Sequence, residues 1–488
     1  MIGIQAFGGY VPRYRLDRQL IYQSMGWMAP GNKAHCRGEK AVAGFDEDSI
    51  TMAVAASLDA MCNCDRSRID SLCFASTCLP FKERLNAGII KTALGLKNEI
   101  SAADFSSGLR SGTTALLHAL DSIKAKRSRS TLLCAADNRL GKPASPQEII
   151  FGDAGAAFLV GDENVVAEFK GSYSTTHDFV DHYRGEFAKY DRQWEDRWIR
   201  DVGLTHLIPE AFNGFLQKYG KQISEYNKIV YPCHDRTARK TINNLMGIAP
   251  EMEQDNLQER IGDSGSAHAL VMLVKALENA VAGERILVLS FGNGCDVLDF
   301  EVTFAIEHPS ASKHISGWLN DRIELNNYTK YLVWRNILPV EEGLRSEEDL
   351  WTRWSLLWRK RNEILALRGT RCKQCGTVQY PPQRVCVNDE CGAIDEMEEY
   401  GFSDKTGIIA SYTGDNLASS FNPPAIYGQI EFEGGGKYMF DFADCELDAL
   451  STGMPVKMSF RKKYHDPRRD ISGYFWKAVP SKETTTDG

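Results

Sequence analysis

A chain of 488 residues with 43% hydrophobic content can bury one large core and at least one smaller one, so two or three domains are expected. Its net charge of −8 gives no general electrostatic reason to bind nucleic acid or an anionic membrane, and an anionic substrate would need a local basic patch. No apolar run approaches the ~20 residues that span a bilayer, and Met1-Ile-Gly-Ile-Gln runs into a strand pattern with no basic flank or signal-peptide core, so a cytoplasmic protein is expected. Of 13 cysteines, most are scattered like reduced structural thiols, and four are clustered.

Residues 1 to about 305 alternate apolar strand-like runs with amphipathic helical stretches, the pattern of an α/β layered domain. The first half is predicted as a helix over Asp48–Cys62, a strand over Ser71–Thr77, a helix over Glu83–Leu94, a short strand, a turn, a helix over Gly112–Lys124, and strands over Thr131–Ala136 and Ala154–Val160. The turn, Ser106-Ser-Gly-Leu-Arg-Ser-Gly112, bends sharply, and the helix after it offers unpaired N–H groups to whatever sits there. Enzymes put a nucleophile in such a turn. The second half is predicted as a helix over Thr205–Tyr219, a strand over Lys228–Pro232, a helix over Thr237–Met246, a glycine turn, a helix over Ser266–Ala280, and strands over Arg285–Leu289 and Val297–Thr303. One order of elements appears twice. A pseudo-twofold between the halves would match Thr77-Cys78 with Cys233-His234 and Gly108–Gly112 with Gly262–Gly265. Four loops would then meet at one centre, where ligands bind in α/β architectures.

Between the halves, residues 172–203 break this rhythm with charge and aromatics, in Thr176-His-Asp-Phe-Val-Asp-His-Tyr-Arg184 and Gln193-Trp-Glu-Asp-Arg-Trp-Ile-Arg-Asp201. This segment is expected to cap or line a substrate entrance, to pack at a subunit interface, or to be a charged surface loop. Residues 306–370 read as helical and aromatic. Trp351, Trp354 and Trp358 recur at three- and four-residue spacing, which predicts a core or domain-interface stripe rather than a stacking platform for bases. Next come Cys372-Lys-Gln-Cys375-Gly and Cys386-Val-Asn-Asp-Glu-Cys391-Gly. Two such thiolate pairs can close a tetrahedral Cys₄ site for a structural Zn²⁺, with no open position for water. The remainder, residues 401–479, holds about five strands separated by turns, which predicts a small β-barrel.

Leu109-Arg-Ser-Gly-Thr113 lies where the thiolase superfamily carries Cys-x-x-Gly-Thr, and the chain most closely resembles its 3-hydroxy-3-methylglutaryl-CoA synthase branch over residues 1 to about 305. The resemblance implies a duplicated five-layer α/β thiolase-like fold, with one half at 1–165 and the insertion and second half at 166–305. It implies an acyl-coenzyme A thioester as substrate, and a homodimer or higher homo-oligomer paired through a first-half strand beside the central turn. The insertion resembles one whose counterpart includes an Asp-Phe-Tyr motif. A helical linker at 306–370, a zinc ribbon at 371–398 and an OB-fold at 399–488 follow; ribbon and barrel together resemble the DUF35 family, which accompanies thiolase-like proteins, usually as a separate subunit. An OB-fold alone could mean nucleic acid, but the acidic chain and its thiolase-like neighbour argue against that partner.

Two signature positions depart from the family. Leu109 replaces the nucleophilic cysteine, and in Ala75-Ser-Thr-Cys-Leu-Pro-Phe81 Thr77 replaces the glutamate. The rest still resembles a site. Tyr231-Pro-Cys-His234-Asp-Arg resembles the second-half strand end that carries Val-Pro-His-Gln in ketoacyl synthases of the initiating type. His234 is therefore a candidate for proton transfer and His268 a second, the alternative for each being a structural histidine. Asp263 stands where the family has an amide, and Gly292-Asn293-Gly294 matches its oxyanion-hole loop. Arg110 and Arg236, with Lys82, Arg84 and Arg239, are candidates for the coenzyme A phosphates. Cys78, Cys233 or Cys295 could act as a displaced nucleophile, or be a small buried hydrophobe. Thiolase-like aldolases that pair with DUF35 proteins imply a different route. There a base takes the hydroxyl proton of a 3-hydroxyacyl-CoA, the Cα–Cβ bond breaks, and N–H groups hold the enolate. Tyrosine is a usual proton carrier in those enzymes, which makes Tyr183 and Tyr231 candidates. The expected function is aldol or retro-aldol chemistry on acyl-CoA. The alternatives are a Claisen-type acyltransferase or thiolase using a displaced cysteine, and a non-catalytic CoA-binding scaffold.

Overall fold

A computed structural model describes residues 1–307, 312–347 and 351–481. They fall into two compact units, the first comprising residues 1–43, 48–88 and 96–331 and the second residues 44–47, 89–95 and 332–488. The stretch expected as a separate linker, 306–370, is thus divided between them. No helix among the described residues is long and apolar enough to cross a membrane.

Apolar runs such as Leu132–Ala136, buried on both faces, form the strands of the first unit. Its main sheet contains β1 (Gly3–Tyr10), β2 (Ser71–Ala75), β3 (Ser101–Phe105), β4 (Ser130–Asp137), β5 (Ala154–Gly161), β6 (Ala167–Thr176), β7 (Lys228–Val230), β8 (Arg285–Phe291) and β9 (Gly294–Val302). The spatial order is β7-β8-β9-β6-β1-β5-β4-β2-β3. The duplication is visible in the pairing. In the first copy β2 runs parallel to β3 and β4, β4 is antiparallel to β5, and β5 to β1. In the second, β7 runs parallel to β8, β8 is antiparallel to β9, and β9 to β6. A parallel bridge from Ile229 to Glu253 stands where the first copy has β3. The copies join where Gly3 pairs with Glu168 and Ile4 with Ala167.

Five helices frame the site: α1 (Ser49–Ala60), α2 (Ser111–Lys124), α3 (Ile208–Tyr219), α4 (Arg236–Met246) and α5 (His268–Leu277). α2 buries Ala115, Leu116, Ala119, Leu120 and Ile123, a helical stripe. In α5 every position but Lys275 is buried, as befits a helix enclosed on all sides. The two share one core with β4, β5, β8 and β9, and their starts touch. A Cβ at position 112 would run into the Ser266 carbonyl oxygen and reach within 3.0 Å of Leu270, so only glycine fits there. The segment expected as a helix over Thr205–Tyr219 is a π-helical stretch, Ile199–Leu207, that passes into α3.

In the second unit, Arg368–Cys372 pairs with Val378–Gln379 and Met397–Gly401 to form the ribbon. A five-stranded antiparallel sheet follows, in the order Lys437–Asp441, Ala425–Phe432, Gly407–Asp415, Pro455–Asp466, Ile471–Pro480. Phe432, Phe440, Phe460 and Trp476 fill its interior. Buried Arg461 is matched by Glu47 at 2.8 Å, Asp444 at 2.6 Å and Asp46 at 3.5 Å, which offsets the cost of its desolvation. The tryptophan stripe is corrected. The helix there spans only Trp354–Arg359, and Trp354 and Trp358 are exposed by 53% and 68%, because a helix of six residues offers too little surface for a buried face. Residues 308–311, 348–350 and 482–488 of the expected linker and OB-fold lie outside the described residues.

Candidate active site

The ends of β7 and β8, the turn before α2 and the turn before α5 converge on a cavity of about 90 Å³ lined by Leu109, Cys233, His234, Asp263, Ser290 and Phe291 among others. A channel of about 630 Å³ shares His234, Gln193, Ile199 and Leu204 with it. His234 therefore stands at the junction of the two, with its side chain one-third exposed.

Leu109 is held from behind. The turn Phe291-Gly-Asn-Gly294 packs so closely that a Cβ on Gly292 would lie 2.9 Å from Leu109 N and 2.8 Å from Arg110 N. Asn293 is placed by a bond from its Nδ2 to the Phe179 carbonyl at 2.9 Å. Arg110 does not face the channel. It pairs with buried Asp296 at 2.8 Å and donates to Thr176 at 2.8 Å. Asp296 also accepts from the hydroxyls of Thr113, Thr114 and Ser174 at 2.8–3.0 Å, a favourable place for a carboxylate at the start of α2. Lys82 is an exposed partner of Glu186, whereas Arg236 and Arg239 line the channel, paired with Glu259 and Glu253.

Asp263 is the electrostatic pivot. Its Oδ2 lies 3.3 Å from Arg139 Nη2 and 3.9 Å from His234 Nδ1, and its Oδ1 accepts from Gly265 N at 2.9 Å. Burial pushes this carboxyl up, but the charges of Arg139, His268 and His234 outweigh it and hold it at about 2. Burial likewise opposes the Arg139 charge, and Asp263, Asp191 and Asp137 outweigh that, raising it above the usual guanidinium value. Arg139 stacks on Phe151 at 3.8 Å and reaches Asp191 at 3.5 Å; Arg184 binds the other oxygen of Asp191 at 2.7 Å. Asp137 accepts five bonds of 2.7–2.9 Å, from Ser76, Thr77 and Ser266. Thr77 is thereby tied to Asp137 and is not among the residues lining the cavity.

Burial pushes the thiols of Cys78 and Cys233 up to about 12 and that of Cys295 higher. Thiols so raised are protonated near neutral pH. His268 is fully buried, its Nδ1 facing the Ser264 amide and hydroxyl and its Nε2 the Asn256 carbonyl at 2.7 Å. Tyr231 is 1% exposed, and its hydroxyl donates within the core to Asn243 and the Arg239 carbonyl. Tyr183 is 48% exposed on a short strand pair, His182–Tyr183 with Arg192–Gln193, and is not among the cavity residues. The geometry thus gathers Leu109, Cys233, His234 and Asp263, and leaves His268, Tyr231, Tyr183, Cys78 and Arg110 outside. Sequence reasoning missed Arg139, Asp191, Asp181 and His182 at the cavity. For Asp181 and His182 the signal was the charged, aromatic segment at 176–184, one expectation for which was to line a substrate entrance; for Arg139 it was Asp137-Asn-Arg139, charge following directly on an apolar strand.

In the ribbon, the Sγ atoms of Cys372, Cys375, Cys386 and Cys391 all lie within 4.8 Å of one another. Two of the separations are 3.8 and 3.5 Å, which fits sulfur ligands at ~2.3 Å around one tetrahedral metal ion.

Comparison with known proteins agrees with this arrangement. A structure of HMG-CoA synthase complexed with CoA matches with a TM-score of 0.61 at 16% identity, covering 70% of this chain and 92% of that one. The 3-oxoacyl-(acyl carrier protein) synthase III, FabH, of Pseudomonas aeruginosa matches with a TM-score of 0.54 at 18% identity, over 62% and 98%. The fold is that of the thiolase-like α/β enzymes. The hydroxymethylglutaryl-CoA synthase of Pyrococcus furiosus is 30% identical over 306 residues, 62% of this chain and 86% of its own length. That of Thermococcus gammatolerans is 28% identical over 340 residues, 68% and 95%. The chain belongs to the hydroxymethylglutaryl-CoA synthase family, and residues 365–394 match the ChsH2 rubredoxin-like zinc ribbon domain.

Proposed function

We propose that this protein makes or breaks a carbon–carbon bond next to a coenzyme A thioester by aldol or retro-aldol chemistry, without an acyl-enzyme. The observation that carries the reading is the make-up of the cavity: an aliphatic side chain at the head of α2, and a single bordering thiol, Cys233, held protonated by burial. A covalent route needs a thiolate within reach of the thioester; an aldol route needs only a proton carrier and donors for the enolate. His234, steadied by ionised Asp263, is the carrier for the carbon next to the thioester. The channel is the entry for the substrate arm; its wall carries Arg18, Arg37, Arg200, Arg236 and Arg239 together with Asp196, Asp235, Glu253, Asp255 and Glu259, so a phosphate would exchange for a carboxylate already paired with arginine, as Glu259 is with Arg37 and Arg236. The ribbon holds one structural Zn²⁺, since four thiolates leave no coordination site for substrate.

The test is intact mass after incubation with acetyl-CoA, alongside turnover after iodoacetamide treatment. No acyl adduct and undiminished turnover of a 3-hydroxyacyl-CoA are expected, and native mass should show one zinc per chain. An adduct on Cys233 or Cys78, or inactivation prevented by acetyl-CoA, would replace this mechanism with acyl transfer.

A further inference from the structure

We infer that His182 is a second catalytic residue of this site, serving the C3 hydroxyl of the acyl group while His234 serves C2; the inference rests on the aldol reading above. His182 belongs to the wall of the inner cavity together with Leu109 and His234, and not to the wall of the channel. His234 belongs to both. A thioester arriving through the channel therefore presents its carbonyl and C2 at His234 and its more distal carbon to the cavity wall that holds His182.

The imidazole is set up for proton transfer. Its Nδ1 stands 3.1 Å from Oδ1 of buried Asp181, an ion-pair distance without hydrogen-bond geometry, and both atoms are buried with no hydrogen-bond partner, so a small turn of the ring would join them. A carboxylate at Nδ1 leaves Nε2 to exchange protons with a ligand. The carrier segment is also fixed in place. The Phe179 carbonyl accepts from Asn293, His177 N donates to the Asn293 carbonyl at 3.0 Å, and Trp194 N donates to the Asp181 carbonyl at 3.2 Å. Gln147 donates to Gln193 at 2.6 Å, and Asp191, beside Arg192 of the same strand pair, is buried between Arg139 and Arg184. Such anchoring suits a group that must meet a reacting atom within a fraction of an ångström.

In the cleavage direction, neutral His182 takes the proton from the C3 hydroxyl. The C2–C3 bond breaks, its electron pair moving into the thioester enolate as the C3–O bond becomes a carbonyl. The enolate then receives a proton at C2 from the His234 imidazolium. One proton has entered at His182 and one has left at His234, and exchange with solvent restores both; no oxidant or metal takes part.

The experiment uses the full chain with three probes, 3-hydroxybutyryl-CoA, 3-hydroxy-3-methylbutyryl-CoA and 3-hydroxy-3-methylglutaryl-CoA, and measures release of acetyl-CoA. In parallel, exchange of the C2 hydrogens of acetyl-CoA in D₂O reads the His234 half of the reaction alone. His182→Gln is expected to lower cleavage by about 100-fold or more while exchange changes by less than about threefold; His234→Gln is expected to lower both. His182→Asn serves as a second variant should Gln disturb the fold. Equal cleavage by wild type and both His182 variants overturns the assignment and leaves the aldol reading standing. Parallel loss of cleavage and exchange in both variants assigns His182 a structural role and also overturns it. A wild-type chain that cleaves none of the three thioesters sinks the aldol reading and this assignment together.

Discussion

The two copies of the βα layout meet at the same cavity with turns of opposite character. The first copy brings Leu109, and the polar groups beside it are turned inward: the Arg110 guanidinium and the Thr113 and Thr114 hydroxyls close on Asp296 behind the turn. The second brings Asp263, with its carboxylate facing Arg139 and His234. One backbone arrangement thus supports an apolar wall on one side and an ionised cluster on the other. The difference teaches that the two turns divide the roles, while the ionised cluster itself is assembled across the molecule, with Arg139 from the first copy, Asp191 from the insertion and Asp263 from the second.

Removing the charge from the second turn should have the largest effect. Asp263→Asn removes the largest of the charges that sustain buried Arg139, those of Asp191 and Asp137 remaining, and a loss of about 3 kcal/mol is expected in chemical denaturation, from the cost of breaking one side of a buried pair. The same variant sharpens the pH profile. The Asp263 carboxyl sits at about 2 when folded, against ~3.9 when unfolded, so its contribution is whole above pH ~4 and is lost as pH falls towards 2. Wild type should lose on the order of 2–3 kcal/mol across that window beyond what the variant loses; parallel curves would mean that Asp263 is not held down by Arg139. Gly112→Ala, which forces a methyl against the Ser266 carbonyl, should cost about 1–3 kcal/mol, and an unchanged denaturation midpoint would show that the helix starts can part. The smallest change in stability, about 1 kcal/mol from lost apolar volume, is expected from Leu109→Cys. That variant should gain one iodoacetamide label mapped by peptide analysis to position 109, beyond those on exposed cysteines such as Cys62, and failure to label position 109 would show that the first turn is closed to ligands.

Much of the frame was legible because its signals are local. Apolar runs and amphipathic stretches in a repeated order gave the doubled layout, and two Cys pairs at short spacing gave the metal site. The side-chain directions were not legible. Tyr231 and His234 are three residues apart past the end of β7, yet one hydroxyl is used inside the core and the other ring borders the cavity. No periodicity applies in an irregular loop. The chain Arg184–Asp191–Arg139–Asp263 joins residues from three separate stretches of sequence, so nothing along the chain announces it. The tryptophan spacing was read correctly as helical in part, but how much surface a helix buries depends on neighbours that spacing does not name.

The bare contact between position 112 and the Ser266 carbonyl carries one more implication. Because main chain rests on main chain there, the distance between the two turns does not depend on which side chains they display. Residue 109 can then be exchanged for others while the scaffold keeps its dimensions, and this protein should be a forgiving host for redesigned chemistry at that position.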